Sequence, residues 1–304
     1  MSRKTLAQLL LLAVVAIWGA TFALVKDALA DASPLLFNLL RMTIAAVALW
    51  IVNRRQLRGI PRHHYLAGII AGFLLAAGYQ FQTLGLARTT AAKSALITGL
   101  VVVFVPILTI IPALRPRDAS PPRWTAAASS VFAFSGLVLL TTPAGTQIQN
   151  VTTSISGGDL LTLLCALAFA GHLLSLAHLA PRVHAGQLAT LQVGFASLFM
   201  LVTLPFSRPL YLHLSVRLAV ALAVTSLLAT AAAFTVQTWA QQHLPPTNTA
   251  ILLTLEPVFA VAISIVFLGD RLTPRSLAGA ALILAGIAAI ELFALPVPVV
   301  IDPA

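Results

Sequence analysis

Apolar runs long enough to cross a membrane recur from one end of this 304-residue chain to the other. A helix needs about 20 mostly apolar residues to span the hydrocarbon core of a bilayer. Hydrophobic residues make up 59% of the chain and charged residues 9%, which is far from the composition of a soluble domain. The pattern predicts an all-α polytopic membrane protein with ten transmembrane helices, at residues 6–25, 34–52, 65–86, 91–112, 124–142, 158–179, 186–206, 216–239, 248–268 and 274–293.

The connections between these runs leave no room for a soluble catalytic domain, since the longest polar ones cover only residues 115–123 and 142–158. The single cysteine, Cys165, lies inside an apolar run, which excludes a disulfide framework and a thiolate metal site. The chain has no paired-histidine zinc motif, no Gly-x-Ser-x-Gly nucleophile and no phosphate-binding loop. We therefore expect no catalytic residue, no metal and no cofactor, and a membrane-embedded enzyme is the weaker alternative.

The net charge of +10 comes mainly from loops between the spans. Lysine and arginine in such loops set the orientation of a membrane protein, so nucleic acid is not an expected partner. With the N-terminus inside, ten of the 18 lysines and arginines fall in inner segments and seven in outer segments. Early loops usually dominate, so we expect both termini inside, in a bacterial plasma (inner) membrane. The N-terminus imitates a signal peptide, but its long apolar run favours a retained first helix.

Two pairs of segments match each other at a nearly constant offset. The stretch at 79–100 aligns with 234–255 at an offset of 155, and the stretch at 18–22 aligns with 169–173 at an offset near 151. The match indicates an internal repeat of five spans, although chance similarity between apolar helices is the alternative. Because five is odd, the second copy must cross the membrane in the opposite direction, as in many secondary transporters. The aligned pairs include Tyr79 with Phe234, Gln82 with Gln237, Trp18 with Phe169 and Thr21 with His172.

Several stretches resemble the EamA-type transporters of the drug/metabolite transporter superfamily. They are IWGATFALVKDAL, SPLLFNLLR, TTAAKSALITGLVVVFVP and, most specifically, AILLTLEPVFAVAISIVFLGDRLTPRSLAGAALILAGI, where Asp270 replaces the usual glutamate. The resemblance implies two inverted five-helix EamA repeats, at residues 6–142 and 158–293, followed by a short C-terminal tail at 294–304. It also implies a secondary transporter that exports or exchanges small metabolites. It does not name the solute, because members handle amino acids, amines, nucleotide sugars, drugs and lipid-linked groups.

Ionisable residues inside the spans are the first candidates for function. A charge at the centre of a membrane helix costs roughly 2.5–3.5 kcal/mol, so it normally faces the protein interior or a wet cavity. Glu256 precedes Pro257, which removes a helical hydrogen bond and predicts a kink, and Pro106 predicts a second one. We expect Glu256 to bind a cationic solute or carry a coupling proton, with a structural contact as the alternative. Arg41 is its candidate ion-pair partner, although its long stem favours snorkelling to the outer surface.

Neutral polar and aromatic residues complete the expected site. Gln82 and Gln237 are predicted to grip a polar solute from both halves, unless each amide instead bonds a neighbouring helix. A lone membrane histidine such as His172 more often forms an interhelical hydrogen bond. The expected solute-binding set is Trp18, Thr21, Phe22, Tyr79, Gln82, Phe169, His172, Phe234, Gln237 and Glu256.

The function expected from these features is alternating-access transport of an amino acid, an amine or a related small solute, in the direction of efflux. A passive channel and a flippase for lipid-linked groups are the alternatives. The expected partners are the small-molecule solute and membrane lipids, with a coupling proton left open. The sequence predicts neither the oligomeric state nor the identity of the solute.

Overall fold

The computed structural model describes residues 2–116, 155–207, 209–244, 249, 252–253, 255–269 and 273–292, with isolated positions between 128 and 139. Regular structure in these ranges is helical, apart from one isolated bridge between Ala32 and Leu212. Seven helical segments in the described part are long and apolar enough to cross a membrane, and two shorter apolar helices fall in the last two expected spans. The predicted all-α polytopic fold is confirmed. The expected span at 124–142 and the tail at 294–304 lie outside the continuously described ranges.

The helices begin and end close to the predicted limits. In the first half they are α1 (Arg3–Ala28), α2 (Pro34–Asn53), α3 (Arg62–Leu86), α4 (Ala91–Thr98) and α5 (Val101–Leu108). In the second half they are α6 (Gly157–Leu179), α7 (Ala185–Thr203), α8 (Val216–Ala240), α9 (Glu256–Ile263) and α10 (Pro274–Leu292). Residues Val224–Ala232 of α8 form a π-helical segment, and a second one, Ser264–Leu268, follows α9.

The span predicted at 91–112 is not one continuous helix, because it breaks between α4 and α5. At the break the amide of Leu100 donates to the carbonyl of Ile97 at 3.1 Å, a tighter bond than the α-helical one. In the second half the amide of Leu255 donates to the carbonyl of Leu252 at 3.2 Å, immediately before α9 begins. Both bonds occupy the same positions of the repeat at the offset of 155. The two halves are therefore interrupted at equivalent places.

The kink that the sequence predicts at Pro106 stays a prediction, and it is distinct from this break. That proline lies inside α5, beyond the break, and α5 continues through it. Membrane helices tolerate a proline where local adjustment satisfies the freed carbonyl. The break itself falls beside Gly99, where a Cβ would lie 2.7 Å from Cγ of Pro257. Pro257 therefore marks the interruption of its own span and packs against the interruption in the other half.

The contacts that each half makes with the other half are equivalent under the repeat. α1 packs against α8 and α9, while α6, its repeat counterpart, packs against α3 and the α4–α5 pair. α2 also packs against α7, and because these two helices are repeat counterparts of each other, exchanging the halves leaves this contact unchanged. Reciprocal contacts of this kind are what a two-fold relation between two copies produces. The structure thus assembles the repeats as a pair with an interface between them.

Small residues let the helices of this interface approach closely. A Cβ on Gly68 would lie 2.5 Å from Cβ of Leu191, and one on Gly72 would lie 2.7 Å from the carbonyl oxygen of Gln192. Both contacts join α3 to α7. Such faces without side chains are common where membrane helices pack.

A charged clasp joins the end of α1 to the start of α8. The guanidinium of Arg217 binds both carboxylate oxygens of Asp31 at 2.8 Å, and the hydroxyl of Ser215 donates to Asp31 at 2.6 Å. The amide of His213 also donates to the backbone carbonyl of Asp31 at 2.7 Å. These bonds from Arg217 and Ser215 lower the pKa of Asp31 to about 2. The clasp therefore links the first half to the second through an ionised carboxylate.

We expect Asp31→Asn to lower Tm at neutral pH, by an amount that disappears in acid. A carboxyl with a lowered pKa stabilises the folded state above its unfolded pKa of about 3.9, and this contribution is lost as the pH falls towards about 2. Thermal unfolding of both proteins between pH 7 and pH 2 measures the difference. Asp27→Asn is the control, since exposed Asp27 contacts Arg217 only at 3.3 Å. A Tm difference that stays constant across this range would contradict the expectation.

Candidate solute-binding cavity

One cavity lies between the two halves, enclosed by α1, α2, α3, α6, α8, α9 and the break between α4 and α5. Its volume is about 70 Å³. The structure brings all ten residues predicted for solute binding to its wall, together with Arg41. From the first half these are Trp18, Thr21, Phe22, Arg41, Tyr79 and Gln82, and from the second half Phe169, His172, Phe234, Gln237 and Glu256. Pro106 and Pro257 do not line it.

Four of the aromatic rings that line the cavity form a cluster. The ring centroids of Trp18 and Phe234 lie 5.5 Å apart, and those of Tyr79 and Phe169 lie 5.3 Å apart. These two contacts are equivalent under the repeat, which pairs Trp18 with Phe169 and Tyr79 with Phe234. Tyr79 and Phe234 also contact each other, at 6.0 Å. Edge and tilted contacts at such distances are favourable for aromatic rings, so the repeat builds one continuous aromatic cluster.

The paired glutamines face the cavity rather than neighbouring helices. Gln237 is 3% exposed, and its Oε1 has no hydrogen-bond partner within the described ranges. Gln82 is half-buried, and no hydrogen bond joins its side chain to another residue of the described part. A buried polar atom without a partner is costly. Both amides are therefore available to a ligand in the cavity. The alternative, in which each amide bonds a neighbouring helix, predicts that they would be occupied.

Arg41 points inward, so its predicted reach to the outer surface is wrong. The residue is 3% exposed. Its Nε donates to Oγ1 of Thr230 at 2.8 Å, and its Nη2 donates to the hydroxyl of Tyr79 at 3.0 Å and to the carbonyl of Ala229 at 3.3 Å. Its guanidinium carbon also lies 4.2 Å from the Tyr79 ring centroid, a cation–π contact. Arg41 therefore donates its hydrogen bonds to protein atoms inside the bundle, rather than to water at the membrane surface.

Glu256 lies at the first position of α9, half-buried and next to the helix interruption. Its carboxylate forms no hydrogen bond or ion pair with any residue in the described ranges. The expected ion pair with Arg41 is absent in this conformation, because the charged atoms lie more than 4.0 Å apart. The physical reason is that Arg41 is held by α8 and Tyr79, whereas Glu256 is carried by α9.

His172 both lines the cavity and bonds another helix. Its Nε2 lies 2.8 Å from Oε1 of Gln192, whose Nε2 donates to Oγ1 of Thr238 at 3.0 Å. The ring also contacts Phe234 edge-on at 5.7 Å. Thr21, the repeat counterpart of His172, donates internally to the carbonyl of Trp18 at 2.8 Å. The hydrogen-bonding capacity of both side chains is thus largely used within the protein.

Some residues of the site were not found from the sequence. Gln192 orients His172, and Thr230 with the Ala229 carbonyl holds Arg41, yet none of them stood out as a motif. The π-helical segment of α8 places the last two, and the sequence carries no clear signal for it. The remaining lining residues are mostly apolar or small: Val25, Thr83, Leu86, Thr98, Gly99, Val101, Val102, Leu173 and Leu253. A signal for three of them did exist, since Val25, Thr83 and Leu86 continue the helix faces of Phe22, Tyr79 and Gln82.

A polytopic helical protein with reciprocal contacts between its halves, and a buried polar cavity between them, has the build of a membrane transporter. The profile of the EamA-like transporter family matches residues 5–142 and 156–292. The chain belongs to this family. Its resemblance to EamA-type transporters is therefore confirmed, and the family and its relatives are transporters rather than enzymes.

Individual relatives are consistent with this assignment. An uncharacterized transporter of Archaeoglobus fulgidus is 30% identical over 293 residues, covering 95% of this chain and 87% of the relative. A probable terminal-alkyne amino-acid exporter of Streptantibioticus cattleyicolor is 38% identical, but only over 52 residues, or 17% of this chain and 18% of the relative. A solved crystal structure shares the fold with a TM-score of 0.68 at 18% identity, covering 96% of this chain and 98% of the other.

Proposed function

We propose that the protein is a secondary transporter that moves an amino acid, an amine or a related small solute by alternating access, in the direction of efflux. The observation that carries the proposal is the cavity between the halves, whose wall combines aromatic rings with Arg41, Glu256 and two amides. Ionisable groups within a membrane protein are expensive and usually mark a solute or ion pathway. The cavity lies at the interface of the repeats, where transporters of this build bind their solutes.

The size of the cavity favours a mechanism with more than one conformation. Pockets that bind small molecules usually measure about 300–1,000 Å³, whereas this cavity measures about 70 Å³. The walls must separate before a metabolite of ordinary size enters. Glycine-mediated helix contacts and two interrupted spans supply places where the halves can move relative to each other. A passive channel would instead require a continuous path that stays open.

Saturable counterflow tests the proposal against a passive channel. Purified protein is first screened by thermal shift against a metabolite library, because a bound solute raises the apparent Tm. The best solute is then loaded into proteoliposomes, and uptake of its radiolabelled form is followed. A transporter accumulates label transiently and saturates with external solute. A linear, non-saturating flux, or no flux of any solute that binds, would refute the proposal.

The paired glutamines give a sharper test of the site. We expect Gln237→Leu and Gln82→Leu each to weaken solute binding roughly threefold to tenfold, the loss of about one hydrogen bond, without lowering Tm. Gln80→Leu is the control, because Gln80 does not line the cavity and instead forms hydrogen bonds with Asn38 and Thr203 at 2.8 and 2.6 Å. That variant should lower Tm and leave the Kd unchanged. Unchanged Kd with reduced Tm in the two cavity variants would make them structural contacts.

We also propose that both termini lie inside, in a bacterial inner membrane. This orientation puts the α2–α3 connection inside and the α7–α8 connection outside. Arg55→Cys and Leu214→Cys occupy exposed positions in these two connections. An impermeant thiol reagent added to intact cells should label Leu214→Cys alone. The native Cys165 is fully buried and serves as the unlabelled background. Labelling of Arg55→Cys alone would reverse the orientation.

A further inference from the structure

A groove separate from the central cavity lies at the end of the helix bundle where α1 and α3 finish and α2 begins. Residues that follow α7, among them Phe206 and Tyr211, form its other side. Its volume is about 670 Å³, within the range of about 300–1,000 Å³ that ligand pockets usually occupy. This end groove shares no described wall residue with the central cavity. Because the spans end here, the groove lies at the level of the lipid headgroups.

Two cations and no described acid line the end groove. The cations are Lys26, in the last turn of α1, and Arg88, just beyond the end of α3. Nζ of Lys26 donates to the carbonyl of Leu86 at 2.7 Å and to that of Ala87 at 3.3 Å. These bonds hold the ammonium against the backbone that leads directly into Arg88. The fold therefore places both positive charges at the end of α3.

The guanidinium of Arg88 is not used by the described protein. Arg88 is exposed, and no hydrogen bond or ion pair joins its side chain to another residue in the described ranges. Asp159, in the segment that packs against Arg88, is itself bound to Lys93 at 2.7 Å. Asp27, beside Lys26, contacts Arg217 at 3.3 Å. A guanidinium presents a planar set of donors that matches the oxygens of a phosphate group.

The rest of the wall is mostly apolar and continues into the lipid-facing surface. Leu29, Leu35 and Leu84 line the groove, together with Phe206, which is 80% exposed. One turn earlier on α7, Val202 is 71% exposed. Exposed apolar side chains on a membrane-spanning helix face lipid chains, which are as apolar as leucine. An acyl chain that runs along α7 therefore has a continuous apolar path to the groove.

The connection that follows α7 extends this apolar surface along the end of the bundle. Its residues 210–215 run beside the α1–α2 connection, and the hydroxyl of Tyr211 donates to the carbonyl of Leu29 at 2.7 Å. Successive side chains of an extended chain point to opposite sides. Tyr211 lines the groove, whereas the alternate side chains are exposed and apolar: Leu210, Leu212 and Leu214. An apolar row at headgroup level suits contact with the membrane interface.

We propose that the end groove binds an anionic phospholipid, with its phosphate at Arg88 and Lys26 and an acyl chain along α7 past Phe206. Basic pockets between membrane helices bind headgroups of this kind. A zwitterionic choline lipid fits less well, because its headgroup brings a further cation to a wall without a described acid. A free phosphate leaves the apolar path unused. The lipid is a bound membrane component and not the transported solute, so this inference does not depend on the proposed function.

Native mass spectrometry of the purified, delipidated full-length protein tests the proposal. Phosphatidylglycerol and phosphatidylcholine with identical acyl chains are titrated separately, and sn-glycerol 3-phosphate supplies the same phosphate without chains. Each cation near a lipid phosphate is worth roughly fivefold in affinity. The first bound phosphatidylglycerol should therefore appear at a concentration at least about fivefold lower than phosphatidylcholine. At that concentration sn-glycerol 3-phosphate should give no bound species.

Variants of the two cations locate the phosphate. Arg88→Gln should reduce the preference for phosphatidylglycerol roughly fivefold and leave Tm unchanged, because the side chain makes no bond in the described ranges. Lys26→Gln should reduce the preference similarly, and it should also lower Tm, since it removes the bonds to two carbonyls. Arg54→Gln is the matched control, because Arg54 is an exposed cation that follows the other end of α2. This control should keep the full preference.

Equal affinities of the two lipids for the wild type would overturn the proposal. So would a preference that Arg88→Gln keeps as fully as Arg54→Gln does. Binding of sn-glycerol 3-phosphate as tight as that of phosphatidylglycerol, with displacement of the lipid, would assign the groove to a soluble phosphate compound and overturn the lipid as its ligand. If Lys26→Gln does not survive purification, Arg88→Gln decides the outcome by itself.

Discussion

Glu256→Gln should abolish uphill transport of the solute into proteoliposomes while the protein still folds. The substitution keeps the shape of the side chain and removes its charge. Glu256 makes no hydrogen bond or ion pair in the described part of the chain, so the folded state loses no direct contact. We therefore expect Tm in the absence of solute to stay close to that of the wild type.

The functional loss is expected to be large because the carboxylate has no substitute in the cavity. Within the wall residues, Glu256 is the acidic one, and Arg41 is the one permanent cation. An amide cannot carry a proton across the membrane, and it cannot neutralise an ammonium group. Either role of the acid, as counter-charge or as proton carrier, is lost with the substitution.

Uphill uptake driven by an imposed pH gradient, and counterflow at saturating solute, separate the two roles. Loss of uphill uptake with counterflow retained indicates a proton carrier, whereas loss of both indicates a solute contact. Asp27→Asn removes an exposed carboxylate outside the cavity and should transport normally. Normal uphill transport by Glu256→Gln, with an unchanged pH dependence, would reduce the acid to a structural residue.

Much of this arrangement could be predicted from the sequence because helix geometry and repetition act together. Tyr79 and Gln82 lie three positions apart and hence on one face of α3, and the repeat places Phe234 and Gln237 in the same way on α8. Once the two halves pack about a two-fold relation, these faces meet. The span limits were equally accessible, since hydropathy alone locates the segments that a bilayer must cover.

Features that depend on contacts between distant residues were not accessible. Pro257 packs against Gly99 at the break between α4 and α5, and no local sequence pattern predicts that contact. The sequence does not determine the direction of Arg41, because a long cationic side chain can find hydrogen-bond partners either at the membrane interface or inside the bundle. The choice is made by Thr230 and the Ala229 carbonyl on α8, which a π-helical segment presents to Arg41.

The close crossing of α1 and α9 leads to the second large effect, which we expect from adding a single methyl group at Gly19. A Cβ there would lie 2.6 Å from Cβ of Phe259, 2.8 Å from the carbonyl oxygen of Glu256 and 2.9 Å from the amide nitrogen of Ala260. Two of these atoms belong to the backbone of the first turns of α9, so no side-chain rotation relieves the overlap. The helices must separate, and overpacking of this kind costs about 1–3 kcal/mol.

Gly19→Ala should therefore lower Tm and also reduce transport, because the displaced turn carries Glu256. The matched control is Gly194→Ala in α7, where a Cβ meets no atom within 4 Å. Alanine is otherwise the better helix former by about 0.5–1 kcal/mol, so this control should keep or raise Tm and transport normally. Differential scanning fluorimetry and counterflow on both variants measure the contrast. If Gly19→Ala matched its control in both assays, α1 would not hold the acid-bearing turn of α9 in place, and the position of Glu256 would have to be fixed by other contacts.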